Sequence, residues 1–322
     1  MAKINKVAVL SSGGDAPGMN AAIRAVVRSA LSHNLEVYGI NNGYQGLVNN
    51  DIFKMDRGSV TNILNRGGTI LGTARLPEFA KDEVAEQGAS NLKKLGIDAL
   101  VVIGGDGTYH GALKLCKLGI NCVGLPGTID NDIPATDYTI GFHTAVNTAV
   151  DAIDKLRDTC NSHHRCSVIE VMGRYCGDIA YAAGVAAGAD LIVTSDDRMS
   201  DDEIVKFVEH AKEEGRKRLL LVITEHITDV AALAKRINNE TGFDSRATIL
   251  GHIQRGGIPT PFDRILATRL GDAAVTSLLD GINGECIGVV NNEIVTTPFD
   301  KLFQMKKNVF RKYAIKLNSD VR

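Results

Sequence analysis

The sequence predicts an α/β fold with open, mainly parallel sheets. Three observations lead there. Short apolar runs alternate with helical patterns along the whole chain, a βαβα rhythm. The runs are nearly continuous in Val, Ile and Leu, as strands buried on both faces require. The 33 glycines among 322 residues exceed the usual ~7% share, and they cluster after those runs, where a strand turns tightly into a helix.

KVAVL at 6–10 reads as the first strand. Met19, Ala22, Ile23, Val26, Val27 and Ala30 then recur at helical spacing. Further strands are expected at 35–40, 99–107, 121–127, 166–173, 190–195 and 218–225, with helices between them. Ser200 with Glu203 forms a capping box, and Thr260 followed by Pro261 is a helix N-cap with proline at the first helical position. No repeat of solenoid period and no low-complexity linker interrupts the pattern. A domain boundary therefore falls between strands, and the chain is free to cross it more than once.

The length makes two domains the prior. With 36 basic and 38 acidic side chains, the chain lacks the basic excess of a nucleic-acid binder. Cysteines 116, 122, 160, 166, 176 and 286 include no CxxC pair, which suits reduced thiols better than a disulfide framework or a zinc site. No apolar run approaches the ~18 residues of a membrane span, and the N-terminal run is too short for a signal peptide. A soluble, cytoplasmic protein is expected, with neither membrane nor nucleic acid as partner.

Ligands of open α/β sheets bind beyond the carboxyl ends of strands. Three such ends carry glycine clusters: SSGGDAPGMN (11–20), GGDGT (104–108) and PGTIDND (126–132). Glycine lets backbone N–H groups approach a phosphate, and a following helix N-terminus adds positive potential. One such loop is an ordinary turn; three, each with an acid, point to an anionic substrate. There is no GxxxxGK[ST] and no GxGxxG at these ends, which excludes a P-loop and weakens a dinucleotide dehydrogenase. Cations are supplied instead by Arg75, Arg165, Arg174, Arg246 and Arg255, whose planar forks suit phosphate. Asp106 is a candidate Mg²⁺ ligand. Asp130 and Asp132, if extended, face the same side roughly 7 Å apart at Cα. A metal clamp, a base for an attacking hydroxyl and cationic charge on the phosphoryl oxygens are the requirements of phosphoryl transfer. The residues thus suggest a kinase of a small phosphorylated substrate.

LSSGGDAPGMNAAIR, GGDGTYHGA, GLPGTIDNDI, TIGFHTA, RDTCNSHHR, EVMGR and LGHIQRGG resemble, in order, the motifs of the phosphofructokinase family, specifically its bacterial ATP-dependent members. The resemblance implies two Rossmann-like three-layer domains: 1–141 with 254–303 carrying ATP, and 142–253 with 304–322 carrying most of the sugar-phosphate site. It implies phosphorylation of the 1-hydroxyl of fructose 6-phosphate by ATP with Mg²⁺, in a homotetramer. By motif, Asp130 matches the general base and Asp132 its supporting acid, while Thr128, Arg174 and Gly14 match groups at the transferring phosphoryl. Gly14, Tyr44, Arg75, Leu76, Gly105, Asp106, Gly107 and Thr108 match the ATP and Mg²⁺ site, with Tyr44 beside the adenine and Asp106 on the metal. Thr128, Ile129, Asp130, Met172, Gly173, Arg174, Glu225, His252, Ile253, Gln254 and Arg255 match the sugar-phosphate site. Arg165 and Arg246 match arginines that reach the 6-phosphate from a neighbouring subunit. Arg24, Arg28, Arg157, Gly188, Asp190 and Arg216 match a site for ADP or phosphoenolpyruvate as effector.

Pyrophosphate-dependent members of the family typically carry an acid and a lysine where this chain has Gly107 and Gly127; two glycines leave room for a nucleotide. Departures are His143 and His226, Gly72 and Leu76 near the base, and Asn62, Asp190 and Glu214 in the effector site. Glu214 stands where an arginine is usual and is expected to weaken phosphoenolpyruvate binding. Glu225, at the end of a buried strand, needs a partner, for which a sugar hydroxyl is one candidate. Taken alone, Met172 reads as core, and His163, His164 and His252 as ordinary polar residues. A nicotinamide-dinucleotide or lipid kinase would share GGDGT but not PGTIDND. A non-catalytic regulatory subunit would have lost Asp106, Asp130 or Arg174, and all three are present.

Overall fold

The structure, a computed structural model, describes residues 4–306 and residue 317. In chain order the elements are β1 (Lys6–Ser11), α1 (Met19–Ser32), β2 (Glu36–Ile40), α2 (Gly43–Val48), β3 (Ile52–Met55), α3 (Asp82–Lys94), β4 (Ala99–Gly104), α4 (Asp106–Lys117) and β5 (Asn121–Pro126). There follow α5 (Phe142–His163), β6 (Cys166–Val171), α6 (Asp178–Ala186), β7 (Leu191–Val193), α7 (Asp201–Glu213), β8 (Leu219–Thr224), α8 (Val230–Thr241), β9 (Ser245–Ile249), α9 (Pro261–Leu279), β10 (Glu285–Val290), β11 (Glu293–Pro298) and α10 (Phe299–Leu302).

The strands form two sheets, ordered β11-β10-β5-β4-β1-β2-β3 and β7-β8-β6-β9. Every pairing is parallel except β2 with β3 and β10 with β11 at the edges of the larger sheet. The chain divides into two units. One comprises the chain up to Ile129, Ile133–Thr144 and Arg255–Lys306; the other holds Asp130–Asp132 and Ala145–Gln254. The remainder expected in the second domain, from residue 307 onward, lies outside the described residues apart from residue 317.

In the first unit the even-numbered Ala8, Leu10, Leu100 and Val102 pack with Leu92 of α3, Leu115 of α4 and Phe299 of α10. The opposite face is covered by α1 and α9, which touch β1 and β5 and each other. Both faces being covered explains the unbroken apolar runs. The stripe predicted on α1 is wholly buried, each large aliphatic side chain in it contributing about 1.5–3 kcal/mol. Gly271 lets α9 approach closely, since a Cβ there would stand 2.6 Å from that of Ala25. In the second unit Val168, Leu221 and Ile223 pack with Ile204 and Val208 of α7 and Leu233 of α8. Ser200 accepts from Glu203 N, closing the expected capping box, and Thr260 accepts from Asp263 N.

Four strands were not foreseen. β3 and β11 are edge strands with exposed polar residues, β9 is partly exposed, and β10 carries an apolar run of ordinary strand type.

Candidate active site

The carboxyl ends of β1, β4 and β5 lie side by side, with Gly104 in register with Pro126. After β1 the chain bends through Gly13 (φ 91°) and Gly18 (φ 109°) into α1. Thr108 Oγ1 donates to the Ser12 carbonyl at 3.1 Å, locking the first turn of α4 to this bend. Gly104 permits that contact, because a Cβ there would lie 2.3 Å from Thr108 Oγ1. Asp106 and Gly107 are exposed at the start of α4, and nothing lies within 4 Å of a Cβ built at Gly105 or Gly107. The unbonded N–H groups of this helix end, with its positive dipole, make an open anion cradle.

Tyr44 is in the core, 4% exposed. Its ring stacks on Phe79 at 4.2 Å, and its hydroxyl donates to the Thr108 carbonyl. It thus supports the cradle from below. Arg75 is exposed, and Leu76 packs half-buried against the core. Arg255 lies against Gly14, where a Cβ would sit 2.6 Å from Nη1, and its buried Nε has no partner. The structure therefore brings together two residues that the motifs assign to different substrates.

Beyond β5, Gly127 N donates to the Gly104 carbonyl at 3.0 Å. A Cβ at Gly127 would meet Ile103 Cγ2 at 2.8 Å and Met19 Cε at 3.1 Å, so internal packing already requires this glycine. Thr139 Oγ1 donates to the half-buried Thr128 at its carbonyl, 2.6 Å, and Ile129 is buried. The next three residues belong to the second unit. They are not an extended strand. Asn131 is left-handed (φ 53°), a conformation asparagine tolerates, so the expected two-residue alternation of Asp130 and Asp132 does not hold. Both acids are half-buried. Asn131 is fully buried and donates through Nδ2 to Asp178 Oδ2 at 2.8 Å, which anchors the acid loop.

In the second unit β6 ends in a strained turn. Gly173 has φ 140° and Arg174 φ 56°, the latter costing roughly 1–3 kcal/mol for a non-glycine residue. Glu225, at the end of β8, accepts at Oε1 from Gly173 N (3.2 Å) and Arg174 N (2.8 Å). These backbone groups are the partners that the buried strand end needed. The exposed Arg174 guanidinium stands 5.9 Å from the Tyr175 ring centroid. Met172 is buried, and its N–H donates to Oε1 of the buried Gln254 at 3.3 Å. His252 and Ile253 are exposed on the short helical turn Gly251–Arg255. Glu170, nearby on β6, has its carboxyl raised above the usual range by burial and then by the charge of Glu225. Arg165 and Arg246 both pair with Asp244, through Nε to Oδ2 and through Nη1 to Oδ1 at 3.2 Å.

A family model described as phosphofructokinase matches residues 6–278. The chain belongs to the phosphofructokinase family. A relative from Vibrio campbellii named ATP-dependent 6-phosphofructokinase is 53% identical over 307 residues, covering 95% of this chain and 96% of its own. One of the same name from Photobacterium profundum is 54% identical over the same shares. The solved phosphofructokinase from Saccharomyces cerevisiae superimposes with a TM-score of 0.87 at 35% identity, covering 99% of this chain and 48% of that one. This chain therefore spans about half the length of that yeast chain.

Of the residues expected at an effector site, Arg24 and Arg28 belong to the first unit, and Arg157, Gly188, Asp190 and Arg216 to the second. On α1, Arg24 is half-buried and its guanidinium is lowered from its ordinary value by burial and then by Arg28. Arg28 Nε and Arg157 Nε are buried without partners, and Arg157 Nη1 stands 3.9 Å from a Cβ built at Gly188. Asp190 is tied to β8, accepting from Leu220 N at 2.8 Å. With Asn161, His164, Arg216, Lys217 and Arg218 it lines a cleft of about 490 Å³. Here Arg216 is already paired, with Glu214 at 3.2 Å and Asp190 at 3.7 Å.

Three supporting residues escaped sequence reasoning. Asn131 looks like a turn former, yet its turn is buried. Asp244 had a legible signal, an acid two residues before Arg246. Asp263, fully buried, accepts from Gly141 N (3.0 Å) and from Thr144 N (2.8 Å), fixing the start of α5; it stands three residues after its Thr260 cap, where a capping acid is expected.

Proposed function

We propose that these strand ends are the working parts of an ATP-dependent 6-phosphofructokinase. The chain transfers a phosphoryl group from ATP to fructose 6-phosphate, giving fructose 1,6-bisphosphate and ADP in glycolysis. The observation that carries the assignment of parts is the register of β4 with β5. It puts an open anion cradle (Gly104–Thr108) beside the start of the loop that leads to Asp130 and Asp132.

In this reading the nucleotide phosphates bind at Gly14, Gly105, Gly107 and Thr108, with Arg75 and Leu76 toward the nucleoside and Tyr44 holding the cradle's shape. Asp106 fits a magnesium ion of the usual kind, held by one or two carboxylates and completed by substrate phosphates and water. Among the described residues no group of three or more His, Cys, Asp or Glu could hold a metal by itself. When bound, the ion neutralises phosphate charge. Asp130 takes the proton from the 1-hydroxyl, and Asp132 supports it. Thr128, Arg174 and the Gly14 region stabilise the transferring phosphoryl, Gly14 with the partnerless Arg255 Nε at hand. Met172, Gly173, Glu225, His252, Ile253, Gln254 and Arg255 shape the sugar-phosphate site, Glu225 by pinning the Arg174 turn. Arg165 and Arg246, paired on Asp244, serve the 6-phosphate of a neighbouring copy in a homotetramer. The protein works in the cytoplasm. The effector site binds ADP or phosphoenolpyruvate, the latter weakly, because Glu214 already neutralises Arg216.

The test is two-substrate kinetics with fructose 6-phosphate and ATP. Asp130→Ser lowers kcat by at least the ~10²-fold typical of losing a general base, with a modest change in KM. A kcat within about threefold of wild type would remove Asp130 from the role.

A further inference from the structure

We propose that Cys116 and Cys122 form a peroxide-reactive dithiol that closes reversibly to an intramolecular disulfide, with Cys116 attacking and Cys122 resolving. Of the six cysteines, five are buried and Cys116 alone is partly exposed. Cys116 lies in the last turn of α4. The chain reverses at Gly119 (φ 85°), Ile120 N donates to the Leu115 carbonyl at 3.0 Å, and Cys122 becomes the second residue of β5. A single oxygen, Asn283 Oδ1, locates both residues: it accepts from Cys116 Sγ at 3.3 Å and from Cys122 N at 2.8 Å. The Cys122 thiol lies 3.5 Å from the Ile120 carbonyl, in the core cluster against which Cys116 packs.

The two thiols are unequal, as an attacking and resolving pair requires. The hydrogen bond from Cys122 lowers the Cys116 thiol below its ordinary value, against burial and the charge of Asp300. Burial pushes the Cys122 thiol well above its own. The accessible sulfur is thus the better nucleophile, and the buried one keeps its proton until needed.

The chemistry balances with hydrogen peroxide as oxidant. The Cys116 thiolate attacks one peroxide oxygen, the O–O bond breaks, and hydroxide leaves with a sulfenic acid on Cys116. The Cys122 sulfur then attacks the sulfenic sulfur, the S–O bond breaks, and the departing hydroxide takes the Cys122 proton as water. Two thiols and one peroxide give one disulfide and two waters. A dithiol restores the pair, whereas a solitary sulfenic acid would proceed to sulfinic acid irreversibly.

The test treats the reduced full chain with equimolar hydrogen peroxide and reads intact mass and non-reducing peptide maps. The expected result is a loss of about 2 Da, with the bond between positions 116 and 122 and full reversal by dithiothreitol. Cys116→Ser forms no bond and consumes peroxide at least ~10-fold more slowly, since the remaining thiols are buried. Cys122→Ser, if it folds, leaves a sulfenic acid at Cys116 that dimedone captures; Cys116→Ser, at a partly exposed position, carries the test if it does not. A wild-type chain that gains about 32 Da at Cys116 without a disulfide, or that joins other cysteines, would overturn the proposal.

Discussion

The strand ends of the larger sheet rely on backbone, and those of the smaller sheet rely on charge. Beyond β1, β4 and β5 the groups held in place are glycines, Thr108, Thr128 and the N–H groups of α4, fixed by contacts such as Thr108 with the Ser12 carbonyl. On the smaller sheet carboxylates fix the arginines at both ends of the strands: Glu225 the Arg174 turn that follows β6, and Asp244 both Arg165 and Arg246 where β6 and β9 begin. Glu214 does the same to Arg216 just before β8. A site of the first kind is tied to the fold, so substitution there costs stability. A site of the second kind is tuned by charge, so substitution there changes affinity or turnover while the fold survives.

Glu225 gives the largest effect by which to break this contrast. Glu225→Ala removes the acceptor of two N–H groups and releases a left-handed arginine. The loss of ~2–3 kcal/mol expected for such charged acceptors lowers kcat/KM for fructose 6-phosphate about 30- to 150-fold. Glu225→Gln still accepts through its amide oxygen and stays within about fivefold of wild type. Equal losses in both variants would show that charge, rather than hydrogen-bond geometry, holds the turn.

The contrast is sharpened by two glycines of the larger sheet that look alike in sequence. At Gly127 a methyl group would press on Ile103 and Met19, so Gly127→Ala destabilises by ~1–3 kcal/mol. At Gly107 a methyl group meets nothing, and Gly107→Ala keeps stability within about 1 kcal/mol while raising KM for ATP. Thermal melts of the two variants separate them. Equal melting temperatures would undo the packing account of Gly127.

Those glycines show how far the sequence could be read. Parallel strands and their glycine ends were legible because burial on both faces leaves a continuous apolar signal. The α1 stripe and both helix caps were legible because spacing alone specifies them. Edge strands β3 and β11 were not, since solvent on their outer faces permits polar residues such as Lys54 and Thr296. Motif resemblance supplied the candidate site residues, but not what supports them. Asn131 owes its place to Asp178, 47 residues away, and Gly14 to Arg255; no local pattern encodes such long-range pairs. Resemblance also presented Gly127 as space for a nucleotide, when the space is filled by the chain's own side chains.

The cleft of Asp190 and Arg216, the proposed effector site, belongs to the charged kind, so its prediction concerns affinity alone. Glu214→Arg removes the nearer of the two ion pairs of Arg216, leaving that with Asp190, and adds a cation. For partly exposed groups this is worth ~1 kcal/mol, about a fivefold gain in phosphoenolpyruvate affinity. Fructose 6-phosphate saturation with and without phosphoenolpyruvate measures it. Strong inhibition of wild type, unchanged by the substitution, would show that Glu214 does not govern the site.

The smallest effect tests whether the backbone-built unit is truly indifferent to charge. His143 is its exception, standing where the family often has an acid. Its ring packs tilted against Phe262 at 3.9 Å and lies 4.9 Å from Tyr138, and its buried Nε2 has no partner. Burial lowers its basicity from the ordinary 6.5, against the pull of the Asp263 carboxylate. The unfolded chain therefore takes up a proton at this position at higher pH than the folded one. The stability from neutral His143 is complete above pH 6.5, the ordinary value, and is lost as pH falls through the lower folded value. His143→Phe keeps the aromatic contacts and removes the proton. The fall in Tm between pH 7.5 and 5.5 is then smaller than in wild type by about 2 °C, with kcat little changed at neutral pH. An identical pH dependence in the two proteins would mean that the charge of His143 does not bear on the fold of this unit, and the contrast between the two sheets would lose this exception.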